Sequence, residues 1–171
     1  MVIIVFGLPG SGKSYFASRL AADLEADYVN TDRIRKELFT RPSYSDEEKI
    51  LVYKKLLDEV YHHAHAKKTL VVDGTFHKEN VRNDFIKLSK DLNLHLRWIE
   101  VLAEESLIKE RLSKKREFSD ADYSVYKLLQ QQHEPFDKQN QHQLIQLTST
   151  NTNIGQMLEK AKKYLLDKNH S

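Results

Sequence analysis

The chain has 171 residues, which is enough for one domain with a hydrophobic core and too few for a second domain of ordinary size. Apolar residues make up 40% of it and charged residues 30%, a balance typical of soluble globular proteins, and no apolar run is long enough to span a bilayer. The absence of cysteine excludes disulfides, thiol nucleophiles and cysteine-bound metals. A net charge of +2 is small for a protein that binds duplex nucleic acid, and the start of the chain lacks the features of a signal peptide. We therefore predict one cytoplasmic domain spanning residues 1–171.

Five short apolar runs alternate with helix-like stretches along the chain. The runs cover residues 2–6, 28–29, 70–72, 94–101 and 144–147, and the fourth run changes the phase of its alternation at Ile99. Amphipathic stretches cover residues 16–24, 45–68 and 154–165, and Ser-x-x-acid start signals occur at Ser45 and Ser119. This alternation is typical of a parallel sheet that helices cover on both faces. It predicts a three-layer α/β domain.

A phosphate-binding motif lies between the first predicted strand and the first predicted helix. Its sequence is Gly7-Leu8-Pro9-Gly10-Ser11-Gly12-Lys13-Ser14, which satisfies Gly-x-x-x-x-Gly-Lys-Ser/Thr. The glycines let the backbone approach a ligand at positive φ, and successive N–H groups form an anion nest at the positive end of the helix. In such loops the lysine reaches the β- and γ-phosphates and the serine hydroxyl ligates Mg²⁺. The motif therefore predicts a site for ATP and Mg²⁺.

Two charged residues follow the second predicted strand. Ligands of doubly wound sheets collect at the carboxyl ends of the strands, so Asp32 is predicted to face the γ-phosphate. There it accepts the proton of an attacking hydroxyl or holds that hydroxyl in line. Arg35, three residues on, is predicted to clamp an anionic part of the acceptor. The alternative is that Asp32 only caps the helix that follows.

A second acid ends the third predicted strand. Asp73 follows three apolar residues in the arrangement called Walker B, where the carboxylate supports Mg²⁺, usually through water. Gly74 leaves room beside it for a substrate. The alternative is that Asp73 starts an ordinary turn.

A basic stretch follows the fourth predicted strand. Five of the eight residues from 109 to 116 are Lys or Arg, which predicts a mobile lid over approximately residues 104–136. Arg111 and Arg116 are the candidates to bring positive charge to the transferring phosphate. The alternative is a solvated helix face.

These motifs together resemble the P-loop kinases of the zeta-toxin and polynucleotide-kinase group. The resemblance covers residues 2 to about 136 and includes Asp32-x-x-Arg35, Val72-Asp73-Gly74-Thr75 and His133-Glu134-Pro135-Phe136. It implies a sheet in the order 2-3-1-4-5, a general base at Asp32 and an acceptor-phosphate contact at Arg35. It also implies an acceptor-site role for Asp73 and a lid arginine near residues 111–116.

The combined prediction is a P-loop kinase that moves the γ-phosphate of ATP to a hydroxyl group. A small-molecule acceptor is the simplest reading of the sequence. One alternative is a nucleic-acid 5′-hydroxyl kinase, against which the near-neutral charge argues mildly. Another is a nucleotide-binding switch or ATPase with no phosphoryl acceptor. The loop at residues 148–153 is predicted to lie near the nucleotide base.

Overall fold

The sheet is parallel and has five strands in the order β2-β3-β1-β4-β5. The computed structural model describes residues 1–66, 68–113 and 122–167. The strands are β1 (Val2–Phe6), β2 (Asp27–Asn30), β3 (Leu70–Gly74), β4 (Leu96–Leu102) and β5 (Leu144–Thr148). The predicted sheet and its strand order are confirmed.

The described residues also contain seven α-helices. They are α1 (Lys13–Asp23), α2 (Thr31–Leu38), α3 (Asp46–Ala66), α4 (Glu79–Asp91), α5 (Glu105–Leu112), α6 (Tyr123–Gln131) and α7 (Ile154–Leu166). A 3-10 helix, Lys138–Gln143, precedes β5. No helix in these described ranges is long and apolar enough to cross a membrane.

Two hydrophobic layers lie on opposite faces of the sheet, because side chains that alternate along the central strands are buried on both faces. On one face, Ile4 packs with Leu56 of α3 and Phe85 of α4. On the other face, Val5 packs with Phe16 of α1 and with residues of α7. The three-layer α/β architecture predicted from the sequence is therefore confirmed.

Strand β4 accounts for the change of phase in the fourth apolar run. Leu96 and Trp98 belong to the layer formed with α3 and α4, whereas Ile99 and Val101 belong to the layer formed with α1 and α7, so the apolar side chains change face at Ile99 and the strand is buried from Leu96 to Val101. Arg97 belongs to the buried set at 6% exposure, and its guanidinium lies 5.9 Å from the centre of the Tyr164 ring. Arg97 therefore contacts Tyr164 of α7 and is not exposed to solvent.

The helix starts follow local hydrogen bonding. At α3, Ser45 Oγ accepts from the backbone N–H of Glu48 at 3.3 Å, as the capping motif predicts. The Glu48 carboxylate does not complete that motif but accepts from the backbone N–H groups of Ser43 and Tyr44, both at 2.8 Å. Helix α6 begins at Tyr123 with Asp122 as its N-cap, which accepts from Val125 N–H, while Ser119 lies outside the described residues.

Candidate functional site

Three strand ends meet at one edge of the sheet. In the strand register, Asp73 of β3 lies beside Val5 of β1 on one side and Asn30 of β2 on the other. The P-loop starts two residues after Val5, and α2 starts directly after Asn30. The register therefore brings the P-loop, the start of α2 and the strand-end acid together.

The P-loop has the backbone geometry of a phosphate cradle. Gly10 and Gly12 have φ of 82° and 91°, in the left-handed region that glycine adopts without strain. At Gly7 a Cβ atom would lie 2.4 Å from the backbone oxygen of Val101, so a side chain there would collide with β4. Gly12 is the N-cap of α1, and Lys13 and Ser14 form its first turn. The loop N–H groups thus lie at the positive end of a helix.

A cavity of about 280 Å³ lies between the P-loop, α2, α3 and α6. We call it the central cavity. Its walls are formed by Pro9, Lys13, Thr31, Asp32, Arg35, Tyr44, Lys49, Tyr53, Thr75, His77, Val125, Leu128 and Leu129. Three of the residues that the sequence predicted as catalytic, Lys13, Asp32 and Arg35, therefore line one space.

Asp32 is the second residue of α2 and does not cap it. The N-cap is Asn30, whose Oδ1 accepts from the backbone N–H groups of Asp32 at 2.8 Å and Arg33 at 3.1 Å. The capping alternative for Asp32 is therefore wrong. Its carboxylate lines the central cavity together with Lys13.

Asp73 is fully buried, and its two carboxylate oxygens have different surroundings. Oδ2 accepts from the Tyr28 hydroxyl at 2.9 Å and from the side-chain amide of Asn30. Oδ1 has no hydrogen-bond partner among the described residues. Burial, and then the charge of Asp73, raise the pKa of Tyr28, so its hydroxyl stays protonated and donates. One oxygen is thus held by two donors, whereas the other has no donor among the described residues.

Gly74 closes the packing beside this acid. A Cβ atom at Gly74 would lie 2.8 Å from both the Phe76 ring and the Thr31 methyl group. The glycine therefore lets β3 approach the start of α2, whereas the sequence indicated room for a substrate.

Arg35 is held in a buried position on the cavity wall at 7% exposure. Its Nη1 donates to Glu48 Oε2 at 3.4 Å, and its guanidinium lies 4.8 Å from the centre of the Tyr44 ring. Hydrogen bonds from Ser43, followed by those from Tyr44 and the charge of Arg35, lower the pKa of Glu48. The Nε of Arg35 is buried without a hydrogen-bond partner in the described part of the chain. The guanidinium is thus oriented by Glu48 and Tyr44 but keeps unused donor capacity.

Two further residues of the cavity carry no motif in the sequence. The Tyr53 hydroxyl accepts from the backbone N–H of Phe76 at 3.1 Å, and burial raises its pKa to about 12. Burial, and then the charges of Lys78 and Lys49, lower the pKa of His77 to about 4. At neutral pH the cavity therefore presents a neutral phenol and a neutral imidazole. Tyr53 and His77 are recognised as cavity residues only from the structure, in which α3 packs against α2 and against the segment after β3.

Arg111 connects two loops in this structure. Its Nη1 donates to the carbonyl oxygens of Gly10 and Ser11, both at 3.2 Å, and to Ser149 Oγ at 2.8 Å. Its Nη2 donates to the Thr150 carbonyl at 3.0 Å. The guanidinium thus joins the P-loop to the loop after β5. Arg116, the second predicted lid arginine, lies in the segment 114–121 outside the described residues.

The segment after α6 is anchored by a buried arginine that the sequence analysis missed. Arg82 is 1% exposed and donates to the carbonyl oxygens of Phe76, Glu134 and Pro135 at 2.6–2.9 Å. The Glu134 carboxylate accepts from Lys78 Nζ at 3.1 Å and from the backbone N–H of Glu79 at 2.6 Å. These contacts fix the segment that follows α6, and apolar side chains of α6 line the central cavity.

Three features define this chain as a P-loop nucleotide-binding protein. They are the glycine-rich loop at the start of α1, the acid buried at the end of β3 and the parallel sheet with the strand order β2-β3-β1-β4-β5. The family comparison gives the more particular assignment. The family model described as AAA domain matches residues 2–136, so the chain belongs to the AAA domain family. No curated protein sequence was found to match.

Solved structures with this fold include several kinases. A sugar kinase from Janibacter sp. HTCC2649 has a TM-score of 0.74 at 19% identity, covering 96% of this chain and 93% of its own. A gluconokinase from Sinorhizobium meliloti 1021 has a TM-score of 0.69 at 19% identity, covering 96% and 90%. The Mycobacterium tuberculosis APS kinase in complex with AMPPNP and APS has a TM-score of 0.70 at 19% identity, covering 97% of both chains. The similarity confirms a P-loop kinase-like fold, while the finer resemblance to the zeta-toxin and polynucleotide-kinase group stays a prediction.

Proposed function

We propose that this protein is a phosphotransferase that moves the γ-phosphate of ATP to a hydroxyl group of an acceptor bound in the central cavity. The observation that carries the proposal is that Lys13 of the P-loop and Asp32 of α2 line the same cavity. Phosphoryl transfer to a hydroxyl requires a phosphate-binding loop and a base that face the same cavity. The fold shared with a sugar kinase, a gluconokinase and an APS kinase supports the same class of reaction.

The proposed step follows from the positions of these residues. The P-loop N–H groups and Lys13 bind the triphosphate, and the acceptor hydroxyl lies between the γ-phosphate and Asp32. The acceptor oxygen forms a bond to the γ-phosphorus as the bond from that phosphorus to the β–γ bridging oxygen breaks. The hydroxyl proton passes to the Asp32 carboxylate, and the products are ADP and a phosphate monoester. Arg35, buried and oriented by Glu48, positions the acceptor.

The residues present fit a bound Mg²⁺ ion, which supplies positive charge to the β- and γ-phosphate oxygens when it is bound. The Ser14 hydroxyl in the first turn of α1 and the Asp73 carboxylate would hold it, the latter through water. The fit rests on Asp73 Oδ1, which is buried and has no hydrogen-bond partner among the described residues. A carboxylate oxygen buried in that way is costly unless a ligand reaches it.

The proposal is tested by removing the candidate base while keeping its shape. Asp32→Asn is expected to lower phosphoryl transfer by about 100-fold or more, in line with the loss of a general base. Binding of AMPPNP, measured by calorimetry, is expected to stay within about twofold, because Asp32 is not part of the P-loop. The matched control is Glu37→Gln, on the same helix, where the carboxylate is exposed and pairs with Arg33.

The assay uses labelled ATP with a panel of hydroxyl compounds and follows the labelled product. Undiminished transfer by Asp32→Asn would show that Asp32 is not the base. Steady ATP hydrolysis with no labelled acceptor product from any compound would favour the ATPase switch.

A further inference from the structure

The described part of the central cavity carries more positive than negative charge. Lys13, Arg35 and Lys49 line it, whereas Asp32 is the one carboxylate among the described lining residues. His77 adds no charge at neutral pH, because burial keeps its imidazole neutral. With Lys13 assigned to the triphosphate, two cations remain for the acceptor.

Arg35 and Lys49 keep donors that their protein partners do not use. A guanidinium has five N–H donors and an ammonium three. Glu48 takes one donor of Arg35 at 3.4 Å, and Asp46 takes one donor of Lys49 at 2.9 Å. The Arg35 side chain is 8% exposed, and its Nε has no hydrogen-bond partner in the described ranges. Since an unpaired buried donor costs free energy, this wall favours a ligand that accepts hydrogen bonds.

Helix α6 adds apolar side chains to the lining, and the space is small. Val125, Leu128 and Leu129 of α6 line the cavity together with Tyr44 and Tyr53. The volume of about 280 Å³ lies just below the range of about 300–1,000 Å³ that is usual for sites of drug-sized ligands. These dimensions fit a metabolite with an anionic end and a short carbon skeleton.

A larger groove of about 1050 Å³ runs between α3 and α4 and shares five lining residues with the central cavity. Among its described lining residues are four carboxylates, Asp46, Glu79, Asp84 and Glu134, against three lysines. A nucleic-acid strand needs several cations along its path, because phosphate contacts supply most of its affinity. This outer groove does not provide them.

We propose that the acceptor is a small hydroxyl compound bearing a carboxylate or phosphate group, and that Arg35 and Lys49 bind this anion. Lys49, in the first turns of α3, is therefore a specificity-determining residue that no sequence motif singles out. The assignment of the bound compound as the phosphoryl acceptor rests on the function proposed above. Its preference for an anion is measured independently, as binding.

The test is a binding measurement on the full chain saturated with AMPPNP and Mg²⁺, so that the P-loop is occupied. Matched probes share a carbon skeleton and differ in whether they carry an anionic group: glycerate and glycerol 3-phosphate against glycerol, and gluconate against the open-chain polyol glucitol, with a 5′-hydroxyl oligonucleotide as the polymer. We expect at least one small anion to bind with a dissociation constant roughly tenfold or more below that of its neutral partner. Comparing glycerate with glycerol 3-phosphate shows whether the site prefers a carboxylate or a phosphate group.

Variants locate the anion. Lys49→Gln keeps the length of the side chain, removes the charge and is expected to weaken binding of the preferred anion by about tenfold. Lys54→Gln is the control, because Lys54 lies on the same helix and lines the outer groove but not the central cavity. It is expected to change binding by less than about twofold.

Three results would overturn the inference: no small anion binds better than its neutral partner, the oligonucleotide binds best, or Lys54→Gln weakens binding as much as Lys49→Gln. Binding of the anion without transfer of labelled phosphate would leave the inference standing and count against the proposed function. In a transferring enzyme, Lys49→Gln is expected to raise KM for the anionic acceptor and to leave kcat within about twofold.

Discussion

Asn30 donates its side-chain amide to Oδ2 of Asp73, in the strand pair where the two residues lie side by side. The other end of the same amide, Oδ1, accepts the backbone N–H of Asp32 at 2.8 Å. One side chain therefore connects the strand-end carboxylate to the first turn of the helix that carries the candidate base. Asn30 is a positioning residue for both acids.

Replacing Asn30 by alanine removes a helix cap and a donor to a buried carboxylate at once. The expected loss of stability is about 2–4 kcal/mol, combining about 1 kcal/mol for the cap with the larger cost of the lost charged hydrogen bond. Urea denaturation at pH 7 measures it. A loss below about 0.5 kcal/mol would show that the amide is not a structural link between β3 and α2.

The variant Asn30→Asp separates the two roles of Asn30, which are to cap α2 and to donate a hydrogen bond to Asp73. Aspartate also caps helices, so the α2 start is expected to persist, but a second carboxylate then lies beside Asp73. Two carboxylates that share a site raise the pKa of one of them in the folded state, and such a group stabilises the fold less as pH rises. The variant is therefore expected to recover stability relative to the wild type as pH falls from 7 to 5. A difference in unfolding free energy that does not depend on pH would contradict this reading.

Much of the fold followed from local sequence rules. Unbroken β-branched runs such as residues 2–6 and 70–72 indicate strands buried on both faces, and the P-loop fixes the connection from β1 to α1. The strand-end rule then placed Asp32 and Asp73 at one edge of the sheet.

The rest of the site depends on contacts between distant segments. Tyr53 reaches Phe76 only because α3 packs beside the segment that follows β3. Arg82 lies on the buried face of α4 with Phe85 and Ile86, and its donors are used by carbonyl groups more than fifty residues away. No periodicity or motif reports such pairings, since they are set by how the helices cross the sheet.

The position of Arg111 predicts an effect on nucleotide affinity. Because its guanidinium bridges the P-loop carbonyls and the loop after β5, Arg111→Ala is expected to weaken AMPPNP binding by roughly tenfold. Lys109→Ala is the control, since Lys109 is on the same helix with its ammonium 5.6 Å from the centre of the Tyr123 ring. Calorimetric titration gives both dissociation constants. Unchanged affinity together with a large fall in kcat would instead assign Arg111 to the transferring phosphate.

His77 predicts a pH-dependent contribution to stability. Burial lowers its pKa to about 4, from about 6.5 in the unfolded chain. Between these values the unfolded chain binds a proton that the folded chain does not, so stability falls as pH decreases from about 6.5 to 4. The slope is at most about 1.4 kcal/mol per pH unit, and less because the ring is partly exposed.

The variant His77→Gln is expected to remove that part of the slope. Urea denaturation of both proteins at half-unit steps from pH 7 to pH 4 measures the difference. Glu48, whose pKa is lowered mainly by hydrogen bonds from Ser43, also destabilises the wild type on acidification, but it does so below the ordinary glutamate range and is present in both proteins. Parallel curves for the two proteins above pH 5 would refute the assignment to His77.

Arg82 predicts a link between stability and the central cavity. Arg82→Met keeps most of the side-chain volume but leaves the carbonyl oxygens of Phe76, Glu134 and Pro135 without their donor, at an expected cost of about 3 kcal/mol or more. Arg19→Met is the matched control, because Arg19 is an exposed arginine of α1 that lies over the Tyr15 ring, and its loss is expected to cost less than about 0.5 kcal/mol.

The same variant, Arg82→Met, is also expected to change the kinetics. Because Arg82 fixes the segment that follows α6, the KM for the acceptor is expected to rise more than the KM for ATP, which binds at the P-loop. Chemical denaturation and steady-state kinetics test both effects, and equal changes in the two KM values would show that Arg82 supports the whole fold and not the α6 wall in particular.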